Sequence, residues 1–293
     1  MKDSEEILKL THLKKYYKDI RGIEDVSLSL KKGDVYGFIG PNGAGKSTTI
    51  RTIMGLINKT SGDIYIKGKE YNKNDIETKK IIGYLPSEIN LYGDFTVKEM
   101  LDYHESFYNK DTHNKRKELV KLLKIEEGKK IEDLSLGNLK KVGLALALIH
   151  EPEILILDEP TSGLDPIMQN NLYDILLKEK EKGTTIIYST HILSEVSKIC
   201  DHIGFIKEGK IIKEDTIENI KKDNYTYLTI ESKEIDKIKK EFNLKIINEH
   251  NNTIKYINNL SAMEIINKLS KYNIDKLLIE EITLEDLFMH YYK

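Results

Sequence analysis

Cysteine is almost absent: Cys200 is the only one in 293 residues. That excludes an intramolecular disulfide and fits a reducing compartment. Arginine is scarce too, with Arg21, Arg51 and Arg116 the only three among 46 Lys+Arg, so bidentate readout of many phosphates or bases is not expected. Neither sign of charge dominates, since 48 Asp+Glu leave a net charge of -2 at pH 7. Non-specific nucleic-acid binding needs a clear positive excess, and no nucleic-acid partner is expected. Long hydrophobic runs are missing. The longest, residues 142–149, falls well short of the about 18 apolar residues that a membrane span needs. Residues 1–6 carry Asp3, Glu5 and Glu6 where a signal peptide would have basic and apolar regions. The expectation is a cytoplasmic polypeptide that does not itself cross a membrane. Hydrophobic residues at 39% and charged residues at 32% are a soluble, globular balance on the polar side, and the length corresponds to two domains of about 150 residues each.

From residue 5 to about 220, short apolar runs alternate with helical stretches, the pattern of an α/β core. Residues 35–39, 154–157, 185–189 and 202–207 read as strands with little alternation, as parallel strands covered on both faces do. Residues 90–150 turn helical. Thr96 and Glu99 form a capping box, followed at helical spacing by Val97, Met100, Leu101, His104, Phe107 and Tyr108, a helical insert within the α/β domain. After Tyr225 the glycines stop. Residues 227–230 and 254–257 read as strands, and residues 261–270 and 283–292 as helices with Ser261 and Thr283 as N-caps. This order predicts a small α+β appendage of ferredoxin-like type over residues 225–293, joined to the α/β domain over residues 1–220 by a linker at residues 221–224.

The strongest local signal is Gly40-Pro41-Asn42-Gly43-Ala44-Gly45-Lys46-Ser47-Thr48. It fits G-x-x-x-x-G-K-[ST], follows the apolar strand 35–39 and opens a helix over residues 46–54, the context that a phosphate-binding loop requires. Its glycines turn backbone N–H groups inward around phosphate oxygens, and the helix N-terminus adds positive potential. Lys46 reaches the β- and γ-phosphates and the Ser47 hydroxyl ligates Mg²⁺. The other half of the site is Ile154-Leu155-Ile156-Leu157-Asp158-Glu159, a buried strand delivering two carboxylates to the sheet edge where α/β folds bind ligands. Asp158 holds Mg²⁺ in this reading, and Glu159 accepts a proton from the attacking water.

Adding Leu134-Ser135-Leu136-Gly137-Asn138 makes the order of motifs over residues 5–215 recognisable. The chain resembles the ATP-binding subunits of ABC transporters. The resemblance implies a P-loop NTPase fold, with a RecA-like parallel sheet, an antiparallel β subdomain and a helical insert at about residues 90–150. It also implies ATP and Mg²⁺ as cofactors, and a homodimer or heterodimer of cassettes closing head-to-tail over two nucleotides. A separate integral membrane permease would hold the chain at the inner face of the cell membrane. Ser135 and Gly137 match the signature loop that contacts the γ-phosphate of the opposite subunit, and Ser135 is an N-cap in any case. Ser162-Gly163-Leu164-Asp165 resembles the D-loop at the dimer interface, with Asp165-Pro166 also a good helix start. His191 matches the switch histidine, and Tyr17 the aromatic that stacks on adenine, with Tyr16 a competitor. Ile89, Leu91, Tyr92 and Phe95 fall where the family receives its membrane partner, or else in the core of the insert.

The chain departs from the family at two places. The Q-loop glutamine is replaced in Gly83-Tyr84-Leu85-Pro86-Ser87-Glu88 by Ser87, too short to reach the metal, which leaves Glu88 or a water to substitute. The signature has Leu136 for its first glycine and Asn138 for its glutamine. With Glu159 and His191 both present, hydrolysis is expected. These substitutions and the ending Leu284-Glu285-Asp286-Leu287-Phe288 resemble the exporter-type (ABC-2) branch, which exports drugs, lantibiotics, peptides or polysaccharides. A soluble ATPase of the same superfamily, acting in translation or DNA repair, is the alternative. A GTPase is a third reading, because Asn72-Lys73-Asn74-Asp75 fits N-K-x-D, but it lacks a preceding apolar strand and reads as a turn.

Overall fold

In the computed structural model, residues 5–222, 226–242, 246–258 and 260–281 are described. Alternation builds the first layer. In β2 (Ile20–Lys31) the side chains of Val26, Leu28 and Leu30 are buried while Ser27 and Ser29 between them are exposed, the period-two pattern of a sheet with one covered face. β2 pairs antiparallel with β1 (Glu6–Tyr17), and β1 pairs antiparallel with β4 (Ser61–Ile66), which carries the short β5 (Lys69–Glu70).

The second group of strands is parallel. β3 (Val35–Ile39), β7 (Ile154–Asp158) and β8 (Thr185–Thr190) are buried at every position. Helices cover both faces of such strands, which is why their sequences run apolar without alternating. With β6 (Ile82–Leu85), β9 (His202–Lys207) and β10 (Lys210–Thr216) they complete a ten-stranded sheet of order β5-β4-β1-β2-β10-β9-β3-β8-β7-β6. Four helices connect the strands: α1 (Lys46–Ile53), α2 (Ile76–Lys80), α6 (Pro166–Glu181) and α7 (Leu193–Ile199). The expected strands at 154–157 and 185–189 each extend one residue further. The N-K-x-D stretch forms an Asx turn that ends with Asp75 capping α2, and the strand before it, β5, is only two exposed charged residues.

Between β6 and β7 lies the helical insert, α3 (Val97–Glu105), α4 (His113–Leu123) and α5 (Leu136–Leu148). The capping box is formed: Glu99 N donates to Thr96 Oγ1 at 3.2 Å, and Thr96 N donates back to Glu99 Oε2 at 2.8 Å. α3 stops earlier than its periodicity predicts. Ser106 is its C-cap and its hydroxyl donates to Tyr103 O, so Phe107 and Tyr108 lie beyond the helix. Arg116 ties the insert together through Asp102, Glu105 and Glu127. The insert is fastened to the sheet domain by the buried pair Lys115 Nζ–Glu179 Oε1, 2.7 Å apart between α4 and α6. Removing one partner of such a pair leaves an uncompensated buried charge.

The chain divides into two compact units at Asp215/Thr216, a few residues before the expected linker, whose Lys221 and Lys222 close helix α8 (Ile217–Lys222). The second unit runs β11 (Thr226–Glu231), α9 (Ile235–Phe242), β12 (Ile246–His250), β13 (Thr253–Asn258), α10 (Ala262–Leu269) and β14 (Lys276–Glu281). Its sheet is antiparallel in the order β12-β13-β11-β14, the ferredoxin-like arrangement. Leu228, Ile230, Ile254 and Tyr256 from the sheet meet Ile238, Ile265 and Leu269 from the two helices in its core. Ser261 caps α10 in a second capping box with Glu264. The expected helix over residues 283–292, with Thr283 and the Leu284–Phe288 ending, lies outside the described residues.

Under the insert, the His150 ring stacks on Tyr108 with centroids 4.3 Å apart and lies 5.8 Å from His104. Burial, and next the neighbouring His104, push the His150 pKa down from 6.5 to about 4. Between those values the unfolded chain binds a proton that the folded chain refuses, so stability should fall as pH drops from 6.5 towards 4. The loss from this group is up to about 3 kcal/mol. Urea unfolding at several pH values checks this: His150→Phe, which keeps a stacked ring, should flatten the slope across that window.

Candidate functional site

The register of the parallel strands builds the site. Ile39 pairs with Thr190 across β3 and β8, and Asp158 pairs with Ser189 across β7 and β8. The loops after β3, β7 and β8 therefore leave the sheet side by side at its C-terminal edge. They carry the phosphate loop, the two carboxylates and His191.

The phosphate loop turns where its glycines permit. Gly45 is the N-cap of α1 at φ 112°, in the left-handed region that favours glycine. A Cβ there would also stand 2.8 Å from the Gly22 carbonyl oxygen. Lys46 is only 6% exposed. Its Nζ donates to Gly40 O at 2.6 Å and to Pro41 O at 3.3 Å, and lies 3.5 Å from Glu159 Oε1. The other Glu159 oxygen, Oε2, is 2.9 Å from His191 Nδ1. Glu159 thus bridges the cradle lysine and the histidine. It does so from a backbone held at φ 49°, a left-handed conformation that costs a non-glycine residue about 1 kcal/mol or more. The Glu159 N–H donates to Ser189 O, fixing the turn.

Asp158 is fully buried. Ser189 Oγ donates to its Oδ1 at 2.5 Å, while Oδ2 has no hydrogen-bond partner among the described residues. A buried carboxylate oxygen without a donor is expensive, and a cation beside the phosphate cradle would satisfy it. The donor set suits Mg²⁺, a hard ion that takes one or two protein oxygens together with phosphate oxygens and water. No cluster of three His, Cys, Asp or Glu competes for a metal among the described residues.

A cleft of about 610 Å³ gathers Tyr17, Asn42, Gly43, Gly45, Lys46, Ser47, Thr48, Ser87, Glu88, Glu159 and His191. Tyr17 is 44% exposed there, whereas the Tyr16 hydroxyl is engaged by Glu24. This separates the two tyrosines that the sequence left in competition. Ser87 and Glu88 both line the cleft, and the Ser87 carbonyl accepts from the buried Lys140 at 3.2 Å. Ser162, expected in the D-loop, lines it as well, together with Arg21 and Gly22, which the sequence did not single out. Gly22 could have been noticed by its place inside an otherwise alternating strand, since a Cβ there would press on the Tyr17 ring at 2.9 Å.

Ser135, Gly137 and Asp165 do not line this cleft. Ser135 caps α5, accepting from Asn138 N at 3.4 Å, and Asp165 caps α6, accepting from Met168 N at 2.9 Å. Leu136, which stands at the signature's first glycine, packs over Gly163, so the signature turn and the D-loop turn of one chain touch each other.

The ABC transporter family matches residues 23–162. The bacitracin transport ATP-binding protein BcrA of Bacillus licheniformis is 36% identical over 97% of this chain and 96% of its own length. The chain belongs to the ATP-binding subunits of ABC transporters. The lantibiotic transport ATP-binding protein SrtF of Streptococcus pyogenes is 41% identical over 73% of this chain and 94% of its own length. A solved dimeric cassette, MJ0796 in a post-hydrolysis state with ADP and phosphate, superposes with a TM-score of 0.67 at 26% identity, covering 72% of this chain and 99% of that one. This subunit is accordingly an ATP-binding ATPase with a cassette fold. No helix among the described residues is long and apolar enough to cross a membrane.

Two substitutions probe the cleft of this ABC subunit. Lys46→Ala should abolish ATP binding in a calorimetric titration, and retained affinity would show that residues 40–48 are not the cradle. Ser87→Gln should leave ATPase activity unchanged or higher in a phosphate-release assay; a total loss would show that Ser87 itself is required.

Proposed function

We propose that this subunit is the motor of an exporter for antibiotic-like peptides or drugs, working on a separate membrane permease. The observation that carries the reading is the near full-length match to a bacitracin transport ATP-binding protein, which takes in the C-terminal unit as well as the cassette. Two cassettes, identical or related, close head-to-tail. Each ATP then lies between Tyr17, Lys46, Ser47, Thr48 and Asp158 of one subunit and Ser135 and Gly137 of the other, with Asp165 at the interface. The exposure of Leu136 at the start of α5 and its N-terminal position support the second half of that sandwich, since a helix N-terminus attracts an anion.

Within one cleft, Lys46 neutralises the β- and γ-phosphates. Glu159 takes the proton of the attacking water, and His191, bonded to its carboxylate, holds it in orientation. Ser47 and Asp158 hold Mg²⁺, with Glu88 or a water serving where the family has glutamine. When bound, the ion polarises the phosphate oxygens. ATP favours the closed pair and hydrolysis removes that preference, a ligand-driven population shift.

The permease docks on the insert. Tyr92, Phe95, Tyr103 and Phe107 form a chain of rings with centroids 4.9 to 6.1 Å apart, and Tyr92 is 58% exposed. Ile89, by contrast, packs on Gly143 inside the insert. This attachment puts the subunit at the inner face of the cell membrane.

Glu159→Gln should bind ATP but hydrolyse it about 10²–10⁴-fold more slowly, the usual range for a lost general base; normal turnover would remove Glu159 from the mechanism. The same variant, tagged and pulled from detergent-solubilised membranes with Mg-ATP, should bring down a multi-span membrane protein in stoichiometric amount. Recovery of ribosomes or DNA-repair factors instead would establish the soluble alternative.

A further inference from the structure

Glu195, on α7, is 4% exposed, and among the described residues no cationic group lies within ion-pairing distance of it. Three hydroxyls satisfy it instead. Thr161 Oγ1 donates to Oε1 at 2.7 Å, while Thr190 Oγ1 and Tyr188 Oη donate to Oε2 at 2.9 and 3.0 Å. A buried carboxylate without a counter-ion is costly to keep unless it does something that an apolar residue could not.

The donors show what that is. Thr161 lies two residues after Glu159, in the turn where Ser162 N donates to Glu159 O. Thr190 immediately precedes His191, and its hydroxyl also accepts from Ile192 N at 3.0 Å, so it grips the backbone on the far side of the histidine. One carboxylate therefore holds both loops whose side chains meet in the 2.9 Å Glu159–His191 contact. Backbone bonding fixes those loops only up to Glu159, whose N–H meets Ser189 O, and Thr190; beyond them, Glu195 continues the tie.

We infer that Glu195 is a positioning residue for ATP hydrolysis, binding the loop of Glu159 and the loop of His191 to one another through the hydroxyls of Thr161 and Thr190. It touches neither nucleotide nor water. The inference rests on Glu159 and His191 acting as proposed above.

The network supplies its own control, because Tyr188 bonds to the same carboxylate from within strand β8, whereas Thr190 ends that strand beside His191 and Thr161 lies in the turn after Glu159. Glu195→Gln, Thr161→Val and Thr190→Val should each lower kcat for ATP by about 10- to 100-fold, the size expected when a reacting geometry slips by a fraction of an ångström. KM and the Kd for a fluorescent ATP analogue should stay within about twofold, since Lys46 and its loop are untouched. Tyr188→Phe should lower the thermal midpoint yet keep kcat within about threefold of the parent. The inference is overturned if Thr161→Val and Thr190→Val keep parental kcat, or if Tyr188→Phe reduces kcat as much as they do, because the bonds would then serve stability alone. The threonine and tyrosine variants decide the matter even if Glu195→Gln does not fold. Glu159→Gln serves as the reference: if it turns over normally, the reading of the site has failed, whereas slow Glu159→Gln with normal threonine variants refutes the role of Glu195 only.

Discussion

Everything functional in the cassette depends on the in-register parallel pairing of β3, β8 and β7. Each strand is buried along its whole length, so a slip of even one residue would exchange the side chains packed on the two faces and break the close packing against the helices. The register is therefore strongly specified by packing, far from any chemistry. Its by-product is that three loops leave the sheet together, bringing Lys46 and His191 each within ion-pairing or hydrogen-bonding reach of Glu159. Residues separated by more than a hundred positions become neighbours because a hydrophobic core has one good alignment.

At that edge the fold accepts what it avoids elsewhere. Lys46 and Asp158 are buried, Glu159 is held in a left-handed backbone conformation, and Glu195 is a buried carboxylate that, among the described residues, is served by hydroxyls. Each feature is unfavourable on its own and persists because the surrounding packing over-determines it. Away from the edge, by contrast, Arg116 is paired with three carboxylates and the buried Lys115 with Glu179. The contrast marks the region where charge has been placed for use on phosphate.

Much of this was legible in the chain because its motifs are local. A glycine-rich turn before a lysine, an apolar run ending in two acids, and a threonine three residues before a glutamate each depend on nearest neighbours, and each formed where expected. The end of α3 was misread because periodicity carries on through Phe107 and Tyr108, whereas a Ser106 hydroxyl bond to the backbone closes the helix. The sequence favours Tyr17 over Tyr16 only by resemblance, since adjacent residues on a strand point to opposite faces; the structure adds that Tyr17 lines the cleft while the Tyr16 hydroxyl is taken by Glu24. Glu195 drew no notice because an acid in a helix ordinarily faces water.

By itself the sequence determined the chemical inventory: which loop cradles phosphate, which strand delivers carboxylates, that ATP chemistry is expected, and that the second unit repeats strand and helix in ferredoxin-like order. These follow from residue types at short spacing, where the backbone leaves few alternatives. Only the tertiary structure decided which groups touch. That Glu159 stands between Lys46 and His191, that one oxygen of Asp158 is left without a donor, that Ser135 and Asp165 cap helices outside the cleft, and that three hydroxyls converge on Glu195 are all long-range outcomes of strand register and helix packing. Such contacts are set by the burial of the whole core, and no short stretch of residues encodes them.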